Sequence, residues 1–142
     1  MMIYTIAQVA GKFGITAHTL RYYDKEGLLP FVERSASGRR RFKEEDFGWL
    51  AMIECLKTTG MPLKRIKQYI DWCGKGDATL QKRHELFLER KTAIKQQIKA
   101  LEKALEKVKY KCWYYKTAVA AGTEKIHRQT LRKAAAEHRK TV

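Results

Sequence analysis

The 142-residue chain predicts a mainly α protein, with a small helix-turn-helix unit and a hairpin or wing ahead of one long coiled-coil helix. Three observations carry this. Two short capped segments are split by Gly14-Ile15, the spelling of a helix-turn-helix. A basic stretch from Arg34 to Lys43, containing Ser35, Ser37 and Gly38, separates two helically patterned regions. From Leu80 onward, seam positions recur at alternating steps of four and three, which is a heptad pattern.

Each element follows from its residues. Thr5-Ile6-Ala7-Gln8 is a capping-box sequence; Ile6, Val9, Ala10 and Phe13 then hold helical spacing until Gly14 stops the helix. Thr16 is a second N-cap, and Leu20, Tyr23 and Leu28 give the next helix one apolar face. Leu28-Leu29 before Pro30 close the unit against its core. Phe31 to Phe42 suit a short hairpin or wing. Glu44-Glu45-Asp46 place negative charge at a helix N-terminus, ahead of Phe47, Leu50, Ile53 and Leu56 or Lys57 at helical spacing. Thr59-Gly60 ends that helix, and Pro62 suits the first turn of another whose Ile66, Tyr69 and Ile70 face inward. The long seam comprises Leu80, His84, Phe87, Lys91, Ile94, Ile98, Leu101, Leu105, Val108, Cys112 and Tyr115. A continuous helix from Thr79 to Ala118 would be about 60 Å long at 1.5 Å per residue. One apolar stripe of that length requires a partner, and a second copy supplies it. Beyond Gly122 the chain is polar and basic, consistent with a frayed helix or mobile tail. The expected divisions are residues 1–75, 76–120 and 121–142.

Charge narrows the function. Thirty Lys+Arg against fifteen Asp+Glu give a net charge of +15. Residues 1–75 hold thirteen basic and eight acidic residues, net +5; residues 76–142 hold seventeen and seven, net +10. Such an excess points to a polyanion. No apolar run approaches the roughly 20 residues of a membrane span, and Met1-Met2-Ile3-Tyr4 is unlike a signal peptide. The three cysteines, Cys55, Cys73 and Cys112, are unclustered, which suits a reduced, cytoplasmic protein without disulfides. No C-x-x-C, His-x-x-x-His or acidic cluster suggests a metal, and no cofactor is expected. No nucleophile–base pair, phosphate loop or paired acids suggest an enzyme.

Tyr4-Thr5-Ile6, Gly14-Ile15-Thr16, Thr19-Leu20-Arg21-Tyr22-Tyr23-Asp24, Gly27-Leu28-Leu29 and Gly38-Arg39-Arg40-Arg41-Phe42 closely resemble the MerR family of bacterial winged helix-turn-helix transcription regulators. The resemblance covers about residues 3–73. It implies a winged helix-turn-helix DNA-binding domain and antiparallel pairing of the long helix in a homodimer. It also implies action on promoters with an overlong spacer, which the dimer bends and untwists so that RNA polymerase engages both elements. Two departures are Phe42, where the family often has Tyr, and the absence of a separate ligand-binding domain behind the helix.

The candidate DNA contacts follow. Ala17, His18, Arg21, Tyr22 and Lys25 lie opposite Leu20 on the second helix, giving the donor-rich face a major groove needs, with Thr16 and Thr19 at its start. Arg21 suits guanine or phosphate, and Tyr22 a phosphate. Arg34, Arg39, Arg40 and Arg41 cannot all turn inward, since an unpaired buried guanidinium is costly. By the resemblance Arg40 is the leading wing contact, followed by Arg34 and Arg39. Lys57 and Lys64 flank the Thr59-Gly60 turn and suit outer phosphates. Cys55 resembles the cysteine through which one subgroup responds to aldehydes, other electrophiles or nitrosative stress. Its thiolate would be favoured between Lys57 and the basic wing. The bland alternative is that it fills an apolar notch; Cys73 and Cys112 are fallback sensors. Two other functions fit the charge: a non-specific architectural nucleic-acid protein, separable by its specificity ratio, and, ranked last, a coiled-coil protein whose basic face meets an acidic partner or membrane.

Overall fold

The structure, a computed structural model, describes residues 2–141. Helix α1, Ile6–Phe13, starts at the expected capping box. Thr5 Oγ1 accepts from the Gln8 amide at 3.2 Å, and Gln8 Oε1 accepts from the Thr5 amide at 2.8 Å. Gly14 ends it in the left-handed region at φ 66°, a conformation that disfavours a side chain. Helix α2, Ala17–Lys25, is capped by Thr16, whose hydroxyl accepts from the Thr19 amide at 3.0 Å.

Between α2 and α3 the chain forms two strands, β2 (Glu33–Arg34) and β3 (Arg40–Lys43), paired antiparallel with Arg34 opposite Arg40. This is the wing. Its turn holds Gly38 at φ 84°, with the Ser35 amide donating to the Arg39 carbonyl at 2.8 Å. A further strand, β1 (Ile3–Tyr4), pairs with the other edge of β3, so the sheet order is β1-β3-β2. Two residues are too few to show an alternating pattern, so β1 leaves no periodic trace.

Helix α3 spans Glu44–Thr58 and α4 spans Leu63–Gly74. Asp46, buried, caps α3 by accepting from the Lys43 amide at 2.9 Å. Pro62 occupies the N-cap of α4, one position ahead of the expected first turn. The core gathers Val9, Leu20, Tyr23, Leu28, Leu29, Phe42, Leu50, Ile53, Leu56, Ile66 and Ile70. Each large side chain removed wholly from water contributes about 1.5–3 kcal/mol before ordering entropy is counted. Phe42 lies in this core, so its ring is structural and presents nothing at the wing surface.

A 3-10 turn, Gly76–Thr79, leads into α5, Leu80–Ala121, which starts one residue later and ends three residues later than the sequence suggested. The chain divides into two compact units, the first ending at Thr92. In the first, Leu86 is buried with the core, and the Phe87 ring meets Tyr69 edge-on at 5.1 Å. In the second, Ile98, Leu101, Leu105 and Val108 are 50–70% exposed. Tyr114, beside the seam position Tyr115, is buried there.

Of the two expectations for the C-terminal stretch, a frayed helix or a mobile tail, the structure has the helix: a 3-10 turn, Glu124–His127, is followed by helix α6, Arg128–Thr141. Buried His127 stacks on Tyr114 at 4.3 Å and its Nε2 lies 2.6 Å from Thr117 Oγ1. A lone histidine in a polar run gives no periodic signal of that anchor.

Candidate nucleic-acid interface

The α2 cap sets the direction of its outer face. Leu20 and Tyr23 are buried, which leaves His18, Arg21, Tyr22 and Lys25 exposed, as the spacing predicts. The Thr16 and Thr19 hydroxyls lie 2.9 Å apart, so both are engaged at the cap. The neutral and cationic donors farther along are free to meet a ligand.

Asp24 joins this helix to the wing. Its Oδ2 accepts from Arg34 Nη2 and from Arg40 Nε, each at 2.7 Å, while Arg34 Nη1 donates to the Gly38 carbonyl at 2.9 Å. One carboxylate thus holds both strands of the hairpin against α2. Such charge-assisted bonds are stronger than neutral ones, though exposure weakens the Arg34 arm. Arg40 is half-buried by this bond, whereas Arg39 and Arg41 stay exposed. Thr5, Ile6, Arg21, Gly38, Arg39 and Arg40 line a concavity of about 390 Å³ between helix and wing. Arg21, Arg39 and Arg40 therefore converge on one recess. Sequence reasoning did not single out Asp24; an acid inside a basic face, ahead of an arginine-rich loop, was the available signal.

A second polar link ties α2 to α3. Tyr23 donates to Glu54 Oε1 at 2.9 Å and accepts from Lys57 Nζ at 2.7 Å. Burial raises the Tyr23 pKa; the Lys57 bond opposes that and Glu54 adds to it. The Tyr23 bond in turn raises the Lys57 pKa. Lys57 is exposed but commits one ammonium hydrogen to Tyr23, so it is a structural tie as well as a surface cation. Lys64 is exposed on α4, beside Arg65, Lys67, Gln68 and Asp71. At the sheet, Lys43 bridges Glu33 at 2.9 Å and Glu45 at 3.0 Å, which raises its pKa and lowers that of Glu33.

Cys55 is exposed on α3, so it fills no apolar notch. The Lys57 ammonium expected to favour its thiolate is directed to Tyr23 instead. Cys73 is half-buried in an apolar recess with Phe31, Trp49 and Tyr69, its Sγ 4.0 Å from Arg83 Nη1; Cys112 is exposed. Among the described residues no three His, Cys, Asp or Glu side chains come together as a metal site. No described helix is long and apolar enough to cross a membrane.

Known proteins share this arrangement. The pattern of the MerR HTH family regulatory proteins matches residues 4–72, and the related MerR DNA-binding pattern matches residues 48–109. An uncharacterized HTH-type transcriptional regulator of Haemophilus influenzae is 46% identical over 124 residues, covering 87% of this chain and 92% of its own length. The crystal structure of HiNmlR, a MerR family regulator lacking the sensor domain, bound to promoter DNA, superimposes with a TM-score of 0.84 at 46% identity. That match covers 88% of this chain and 99% of HiNmlR. A MerR family regulator from Bacillus thuringiensis gives a TM-score of 0.73 at 46% identity over 78% of this chain and 97% of its own. The matched residues span the helix-turn-helix, the wing and the first part of the long helix, and the chain belongs to the MerR family of helix-turn-helix transcription regulators.

Proposed function

We propose that the chain binds double-stranded promoter DNA as a homodimer, with α2 in the major groove and the β2–β3 wing on the neighbouring backbone. The observation that carries this is the recess on which Arg21, Arg39 and Arg40 converge, with Arg40 held to α2 through Asp24. Arg21 reads base edges, with His18 beside it; Tyr22, Arg34, Arg39, Arg40, Lys57 and Lys64 hold phosphates, and Thr16 and Thr19 fix the helix start. Residues 1–75 bind DNA, 76–120 dimerise and 121–142 form a basic segment. The exposed apolar stripe of α5 supports pairing with a second copy, antiparallel as the family resemblance implies. Two half-sites held by one dimer let it bend and untwist the spacer for RNA polymerase, deformation that takes several kcal/mol from phosphate contacts. As a promoter-binding regulator it acts in the cytoplasm.

The signal enters at Cys55, through addition of a thiol-reactive electrophile. The support is its exposure and its place between Glu54 and Lys57, the two residues that hold Tyr23 of α2. An adduct there would disturb the seat of the recognition helix.

Sequencing of fragmented genomic DNA retained by the purified protein tests the DNA reading. The expected result is discrete peaks at promoters, lost with Arg21→Ala. Even coverage of the genome would favour an architectural protein held by charge alone.

A further inference from the structure

Helix α6 is a second cationic surface, separate from the helix-turn-helix and wing. At 100° per residue, Arg128, Arg132 and Arg139 fall within an arc of about 40°, and Lys133 and Lys140 widen it to about 140°. None of these five makes an ion pair or hydrogen bond among the described residues. Of the two acids nearby, Glu124 is spent on the Tyr114 hydroxyl at 3.1 Å and Glu137 lies beyond the lysines on the helix wheel. A helix of 14 residues is marginal alone in water, and Arg128 and Arg132, four apart, repel each other. Its root is nevertheless fixed. Gly122 turns the chain at φ 71°, the Thr123 amide donates to the Ala118 carbonyl at 3.0 Å, and buried His127 sits on Tyr114. A pinned helix that carries unneutralised charge is built for an anionic partner.

We propose that α6 binds the phosphate backbone of duplex DNA, outside the segment contacted by α2 and the wing. This rests on the DNA-binding reading above. The arginine edge from Arg128 to Arg139 extends about 16 Å, the axial length of about five phosphates of one strand. A lipid surface is disfavoured because the opposite arc offers Leu131 as its one large apolar side chain, with Ala134 and Ala135.

The test uses the full chain with random-sequence duplexes of about 20 and about 40 base pairs, titrated with salt. The variant is Arg132→Gln/Lys133→Gln/Arg139→Gln/Lys140→Gln, and Arg132→Lys/Arg139→Lys is the charge-preserving control; circular dichroism checks that both stay helical. Wild type should gain more affinity than the Gln variant on the longer duplex. The slope of log K against log salt should be shallower in the Gln variant by about 0.9 per phosphate lost, and preserved in the Lys control. Equal slopes and equal length dependence in wild type and Gln variant would overturn the proposal. Unchanged DNA binding with lost promoter output also overturns it, assigning α6 to an acidic protein surface. Wild type failing to bind either duplex would instead remove the underlying DNA-binding reading.

Discussion

Asp24 carries a negative charge on a surface expected to meet phosphate, which makes its substitution informative in sign. As a mere charge, its removal in Asp24→Asn would tighten DNA binding. As the shared anchor of Arg34 and Arg40, its loss frees the wing, and the expected outcome is weaker binding to specific and random duplexes alike, read by fluorescence anisotropy. Arg21→Ala should behave differently. A base-edge contact carries about 1–3 kcal/mol of discrimination, so affinity for the preferred sequence should fall while random duplex is held nearly as before. Equal losses on both would remove Arg21 as a sequence reader. For Cys55, promoter output under formaldehyde or methylglyoxal separates the thiols. Cys55→Ser should bind DNA and fail to respond, and Cys73→Ser should respond fully; a Cys55→Ser strain that responds fully rules Cys55 out.

Among the elements, α1, α2 and α3 were legible because their caps are written in the sequence as Thr5–Gln8, Thr16 and the acidic start of α3. Asp46→Ala should lower stability by about 1 kcal/mol in denaturant melts, the usual loss for a helix cap. The wing was legible from its basic loop, but its attachment was not, since a charge pair between Asp24 and Arg40 leaves no periodic trace. The same holds for the α2–α3 tie through Tyr23, Glu54 and Lys57. That tie has a pH signature: Tyr23 and Lys57 both have folded pKa values above their unfolded ones, so their contribution is complete below the unfolded values and is lost as pH rises through the folded ones. Stability should therefore drop in the strongly alkaline range, and the drop should shrink in Tyr23→Phe. Heptad spacing foretold α5. Leu86 and Tyr114, beside the seam positions Phe87 and Tyr115, are buried within the chain itself.

At the scale of the whole molecule, a net charge of +15 and an exposed apolar stripe are two unsatisfied surfaces, one needing an anion and the other a copy of itself. Replacing Ile98 and Leu101 by Glu removes a contact from both chains at once and should give a monomer in ultracentrifugation at micromolar concentration. A wild-type protein that is already monomeric there would refute the pairing of α5. Dimerisation and reading are joined in the central claim that a two-fold pair of recognition helices selects its DNA. Selection of bound duplexes from a random-sequence library tests this most directly. The account expects a pseudo-palindromic motif with two half-sites at fixed spacing; a single unsymmetrical half-site, or no enriched motif, would contradict it.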